Sequence, residues 1–344
     1  MKRKGRKSPR RGQVRPLSSG SWIMPLSSEK PQPGTAGLPS RVIHEVVSAQ
    51  DAPEQMAERR QSQPERISWG QYIFDVPRVW AKTKGENVTV AVLDTGVDPD
   101  HPDLREAIAD MRDFSGDGIE DVDGHGTHCA GVIAARHNDF GFVGVAPLSM
   151  LLIGKVLGND GRGSYDQIAD GIDWAVDRGA HIISMSLGGP DSSQRLFQSV
   201  HSALAAGVSA ICAAGNEGCL FGNSIGYPGR YGGVITVAAH DPNGNPAGFS
   251  SRGGELDFMA PGTEIWSSFK DGGYASLSGT SMAAPFVAGL AALCISKHRS
   301  GRYRNRTDLN NCEDMREHLM RMATHPGAHD STSGYGPLRP LQYF

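Results

Sequence analysis

No stretch of the 344-residue sequence approaches the roughly 18 consecutive apolar residues that a membrane span requires. The segment after the basic N-terminus, PLSSGSWIMPLSS, lacks the continuous apolar run of a secretory signal, and starting at Met24 creates none. The resulting expectation is a cytoplasmic protein without a membrane partner. Cysteine is scarce. Cys129, Cys212, Cys219, Cys294 and Cys312 form no CxxC pair and are odd in number, which argues against a zinc knuckle and a disulfide framework and leaves reduced, mostly buried thiols. Net charge is small as well: -3, from 34 basic and 37 acidic residues, gives no global reason to expect a nucleic-acid partner. The local exception is Lys2, Arg3, Lys4, Arg6, Lys7, Arg10, Arg11 and Arg15, a run without an acid. No aromatic residue is interleaved there to stack on bases, so it reads as a solvated arm.

Up to about Pro64 the chain is rich in Pro, Ser, Gln and charge, and only Val42 to Val47 is patterned like a strand or helix. Residues 1–63 are therefore expected to be a largely disordered leader, and 64–344 one folded domain. The pattern changes at Ile67-Ser68-Trp69-Gly70. Val88 to Leu93, Met150 to Leu157, Ile182 to Leu187, Val208 to Ala213 and Val234 to Ala239 read as buried strands. Between them, Gln167 to Arg178 and Ser193 to Ala206 repeat apolar residues at helical spacing. Such alternation predicts an α/β fold of three layers, a mostly parallel central sheet with helices on both faces and active groups at the carboxyl ends of strands. Thr280 to His298 is apolar around most of its circumference, which predicts a helix inside the domain, and Cys312 to Ala323 predicts one more on its surface.

Three glycine-flanked islands carry reactive side chains. LDTG places Asp94 directly after a strand, DGHGTHCAG places His125 before a helix, and SGTSMAAP places Ser281 near the amino end of the buried helix. A serine hydroxyl is a poor nucleophile near neutral pH and needs a base within hydrogen-bond reach, itself oriented by a third group. Asp94, His125 and Ser281 supply those roles. The island CAAGNEG adds the Asn216 amide as a donor for a developing oxyanion, beside the Ser281 backbone N–H. His125 and His128 form HxxH, but no HExxH carboxylate accompanies them, so a zinc site is not expected. The glycines of GNDGRGSYDQIADG fit neither GxGxxG nor GK[ST], and a substrate-facing loop accounts for them better than a phosphate cradle.

Together LDTG, GHGTHCAG, SMSLGGP, AAGNEG and GTSMAAP, over roughly Glu65 to His298, resemble the subtilisin family of serine endopeptidases, most nearly the bacterial intracellular subtilisins. The chain order Asp, His, Ser is that of subtilisin. The resemblance implies hydrolysis of peptide bonds in extended polypeptide substrates through an acyl-enzyme, by a protein made as a precursor. Gly161, Arg162 and Gly163 with Ser186, Leu187 and Gly188 become edge strands between which substrate pairs, giving broad specificity. A pocket bounded by Ala213, Ala214, Gly215 and Gly226 lies beside them with Glu217 at its mouth, and Arg162 at the rim favours an acidic substrate residue. The resemblance also implies Ca2+, held by Asp103, the Asn138 side chain, the carbonyls of Arg136, Phe140 and Phe142, and Glu65 in place of an amide. A second, weaker cation site would use the carbonyls of Gly229, Tyr231 and Val234 with Asp257. The leader is expected to be an inhibitor docked in the cleft and cut off between Arg59 and Glu65; the rival reading is a silent peptide-binding module of the same fold, in which the leader stays docked or the site is misassembled. All three triad residues and Asn216 are present, which favours the enzyme.

Overall fold

In a computed structural model of the chain, the described residues are 35–37, 42–47, 64–218, 222–301, 309–340 and 343–344. The basic arm, Cys219 and most of the leader, whose disorder was expected, lie outside them. The leader contributes β1 (Thr35–Gly37) and β2 (Val42–Val47). Two short helices, α1 (Trp69–Ile73) and α2 (Val76–Val79), open the domain, the first held by a reciprocal cap between Ser68 and Gln71. Then come β3 (Thr89–Asp94), β4 (Ile108–Asp113), α3 (His125–Ala134), β5 (Met150–Lys155), β6 (Arg162–Ser164) and α4 (Tyr165–Asp177). They are followed by β7 (Ile182–Met185), α5 (Gln194–Ala205), β8 (Ser209–Ala213), β9 (Ile235–His240) and β10 (Phe258–Pro261). Finally come β11 (Ile265–Phe269), β12 (Gly273–Ser278), α6 (Thr280–Arg299) and α7 (Cys312–Met322).

Seven strands form the central sheet in the order β10-β9-β8-β7-β3-β5-β4, every pairing parallel. Successive side chains of a strand face opposite sides, and β3 shows both faces buried: Val90 and Val92 join one core cluster, Ala91 and Leu93 the other. The first cluster packs against α3 and α6, the second against α4 and α5. Helix α4 begins where Ser164 caps the Gln167 N–H while the Gln167 side chain accepts from the Ser164 N–H. Helix α6 is long and apolar enough by composition to cross a membrane, yet its apolar window is wholly buried in the domain.

The remaining strands form two small sheets. Leader strand β1 pairs antiparallel with β6, and β2 pairs antiparallel with β12, which pairs with β11.

Candidate active site

Asp94 is the last residue of β3, at the carboxyl edge of the sheet, and His125 the first of α3. The two segments meet because Gly126 has no side chain: a Cβ there would lie 2.1 Å from the Gly96 carbonyl oxygen. The Asp94 Oδ1 lies 2.7 Å from His125 Nδ1 and accepts from the Thr95 N–H at 2.8 Å. Both side chains are buried. The carboxylate therefore fixes the ring, and Nε2 faces away from it with no hydrogen-bond partner among the described residues. Asp121 locks this joint. Its carboxylate accepts from the Thr95 hydroxyl, the Gly124 N–H, and both the N–H and hydroxyl of Thr127, at 2.7–2.8 Å. Buried Lys155 donates to the carbonyls of Thr95 and Glu120 and to Asn159 Oδ1. Neither residue was singled out from the sequence. An acid shortly before a helix start was the only visible signal for Asp121, and Lys155 lay inside an ordinary strand.

Burial opposes charging of His125, but the Asp94 carboxylate, with a smaller contribution from Cys129, outweighs it and raises the pKa from 6.5 to about 10. If His125 acts as a general base it must be neutral, so kcat/KM should climb as pH rises toward about 10. The stabilising contribution of the charged pair runs the other way: it is complete below about 6.5, the unfolded value, and is lost as pH rises through the folded value near 10. A pH–rate profile checks this, and a kcat/KM that stays flat across that window would contradict it.

Ser281 occupies the first turn of α6. Four residues on, Pro285 has no N–H to give the Ser281 carbonyl, which is instead bonded by Ser186 Oγ at 2.8 Å and Cys129 Sγ at 3.4 Å. The same sulfur sits 3.9 Å from His125 Nδ1, so serine and histidine share a neighbour. Ser281 Oγ donates to the Ser186 carbonyl at 3.3 Å. Asn216 Oδ1 accepts from the N–H and hydroxyl of Thr280 at 2.9 and 3.1 Å, which orients the amide. Its Nδ2 and the Ser281 N–H border one space, since a Cβ built on Gly279 would lie 3.3 Å from the first nitrogen and 3.6 Å from the second. Glycine keeps that space open.

At one expected substrate edge, Gly189 and Tyr227 exchange backbone hydrogen bonds at 2.9 and 2.8 Å, which sets Gly188 beside Gly226. Gly226 is in turn bonded to the Ala214 carbonyl, just beyond Ala213 at the end of β8. The Glu217 carboxylate accepts from Ser251 Oγ at 2.7 Å and overlies Gly215, whose Cβ would lie 2.4 Å from it. On the opposite edge, Arg162 and Gly163 pair with Gly37 and Ala36 of the leader, next to the turn at Gly161. His128, fully buried, lies 2.9 and 3.2 Å from the carbonyls of Ile265 and Ala275, in agreement with a structural role. The thiols of Cys129, Cys212, Cys294 and Cys312 are unpaired and buried.

The expected Ca2+ loop folds onto Asp103. That buried carboxylate accepts from Asn138 Nδ2 at 3.2 Å, and from the Phe142 N–H and Tyr274 hydroxyl at 2.9 Å. Burial pushes its pKa up against these bonds and the nearby His101, a state that a bound cation relieves. Arg136 donates its N–H to the Asp103 carbonyl, and Phe140 and Phe142 form bridges with Pro64 and Arg66. Asp103 and Asn138 fit a hard cation: a half-turn of the Asn138 amide replaces its donor by an oxygen beside the carboxylate. Glu65 meets the same loop differently, accepting from the N–H groups of Asn138 and Asp139 and pairing with His137 at 3.0 Å.

Contrary to expectation, the carboxylate of the second cation site is already held by a side chain. Arg316 Nε lies 2.9 Å from Asp257 Oδ1, and its Nη2 donates to the Val234 carbonyl. The Gly229 carbonyl accepts from Thr236 Oγ1. Tyr231 stands nearby.

A parallel α/β sheet presenting an Asp–His pair at a strand end and a serine at the head of a buried helix, in the chain order Asp, His, Ser, defines the subtilisin-like serine endopeptidases. Residues 85–336 match the family model described as the Subtilase family, and the chain belongs to that family. It is similar to "Intracellular serine protease" of Paenibacillus polymyxa, 46% identical over 68% of this chain and 74% of that protein. It is also 48% identical to "Subtilisin DY" of Bacillus licheniformis, over 62% of this chain and 79% of the relative, and 42% identical to "Subtilisin BL" of Lederbergia lenta, over 78% and 95%. The protein is a serine-type endopeptidase.

Proposed function

We propose that the protein is a broadly tolerant endopeptidase, made as a precursor whose leader lies in the substrate cleft until it is displaced or cut. One observation carries this reading: β1 pairs residue for residue with the substrate edge, Ala36 opposite Gly163 and Gly37 opposite Arg162. The leader then continues to β2, whose Val42 pairs with Ser278, three residues before Ser281. Leader strands thus pair with the expected substrate edge and with the strand that leads into the nucleophile's helix. A substrate using the same backbone groups needs no particular side chain, which supports broad specificity, and the exposed Arg162 favours an acid near that edge. Pro64 bridges Phe140 and Glu65 is bound by the Ca2+ loop, so cutting falls before residue 64. The name of the intracellular relative supports a cytoplasmic site of action.

In this reading Asp94 orients His125, His125 removes the Ser281 proton, Ser281 attacks the amide, and Asn216 Nδ2 with the Ser281 N–H receives the oxyanion. Proline at position 36 removes the N–H and disfavours continued pairing, so Ala36→Pro should lower the KM for a short peptide on the order of tenfold, the relief of a tethered competitor. An unchanged KM and unchanged initial rate, with mass spectrometry confirming an intact leader, would remove the leader from the cleft.

Ca2+ at Asp103, Asn138 and the neighbouring carbonyls would brace the loop against Glu65 and Arg66. At about 100 times its Kd a bound ion adds about 2.7 kcal/mol of stability. Thermal unfolding should therefore shift upward with CaCl2 and fall with a chelator, and Asp103→Asn should abolish the shift. Identical shifts in the variant would place the ion elsewhere.

A further inference from the structure

The arrangement around Arg316 carries more than the loss of an expected site. Asp257 is buried at the start of β10, and its second oxygen accepts from the Thr236 N–H at 2.8 Å. Val234 ends the segment that runs from the pocket residue Gly226 into β9. A bare carboxylate and a backbone carbonyl converging in a half-buried place make a cation site, as both are hard oxygen donors. Here the planar fork of Arg316 reaches both at once, through Nε and Nη2, while its third nitrogen pairs with Glu313. The guanidinium side chain is 16% exposed and the Asp257 side chain 12%. An arginine stays protonated throughout the accessible pH range, so the positive charge here needs no ion from solution.

We propose that Arg316 stands in for a bound cation, fixing the segment 226–234 behind the substrate pocket and tying it to α7 through a covalently attached charge. Helix α7 is positioned for this. Cys312, Met315, Leu319 and Met322 bury one face, and Cys312 Sγ lies 3.9 Å from the Ala210 carbonyl of β8. The neighbouring Gly229 carbonyl accepts from Thr236 Oγ1, and the guanidinium takes the carboxylate and Val234. The place also borders a surface cavity of about 350 Å³ lined by Tyr231, Gly233, Glu255, Arg316 and His329. An ion would have a route in if the guanidinium were absent.

The inference does not depend on catalysis and is tested in the full chain carrying Ser281→Ala, which removes self-digestion. Thermal midpoints are measured at saturating CaCl2 for the Asp103 loop while NaCl or KCl is added, with choline chloride matching ionic strength. With Arg316 present, sodium and potassium should do no more than choline. Arg316→Met keeps the aliphatic stem but leaves a buried carboxylate unpaired, and its midpoint should fall by roughly 5–10 °C. Sodium or potassium, and not choline, should then restore at least half of that loss. A specific alkali-ion response in the parent protein, or a destabilised variant that no cation rescues, overturns the proposal. Should Arg316→Met not accumulate as folded protein, Arg316→Lys decides it. A point charge without the fork should give an intermediate midpoint that rises with potassium above choline, and the absence of that rise overturns the proposal equally.

Discussion

Replacing Ser281 by alanine should lower peptide turnover by about a millionfold and abolish labelling by a fluorophosphonate, with the wild-type protein labelled at that one residue. The magnitude is the one established for the triad of subtilisin itself. The geometry explains why the effect should be nearly complete. In the proposed mechanism the Ser281 oxygen is the nucleophile, and alanine removes it while leaving His125, Asn216 Nδ2 and the Ser281 N–H in place. The hydroxyl is turned toward the Ser186 carbonyl at 3.3 Å, a long bond, while His125 Nε2 has no partner among the described residues. Catalytic hydrogen bonds of this kind are often long or unmade before substrate enters and tighten in the substrate complex. Loss of labelling in Ser281→Ala with undiminished hydrolysis would mean another nucleophile. No labelling of wild type under any condition, including after leader removal, would instead make the chain a peptide-binding member of its family.

The catalytic islands were legible because each is local. Asp94, His125 and Ser281 sit within short glycine-marked segments whose place at a strand end or helix start follows from the residues around them, and the structure puts all three there. The central strands were legible for a related reason: buried on both faces, they are continuous apolar runs, and the boundaries differ by one or two residues. Strand β4 was not legible. Its IADMRD is half exposed and charged, as an edge strand can be. Strands β11 and β12 are broken by serines, and Ser267 and Ser268 are buried all the same, so their apolar pattern is diluted. The leader's β2 was visible as an apolar segment, but its register against β12 was not, since pairing between segments more than 200 residues apart leaves no local trace. Arg316 failed for the same reason. On a helix read as a surface element it looked like a solvated charge, and the two oxygens it binds lie 59 and 82 residues earlier.

Asn216→Ala should lower kcat on the order of 100-fold or more, about 3 kcal/mol of transition-state stabilisation, with KM little changed. In the proposed mechanism the amide contributes mainly once negative charge has moved onto the substrate oxygen, and an interaction made only then appears in kcat and not in binding. Its orientation comes from Thr280, whose N–H and hydroxyl hold Oδ1. The side chain therefore also caps the start of α6, and alanine should cost about 1 kcal/mol of stability in addition. Asn216→Asp separates the two roles: the acceptor for Thr280 remains and the donor disappears. Its turnover should be at least as low as that of Asn216→Ala while its thermal midpoint stays nearer the wild type. If Asn216→Asp instead retained wild-type turnover, the backbone N–H of Ser281 would have to stabilise the oxyanion alone, and Asn216 would be a cap and nothing more.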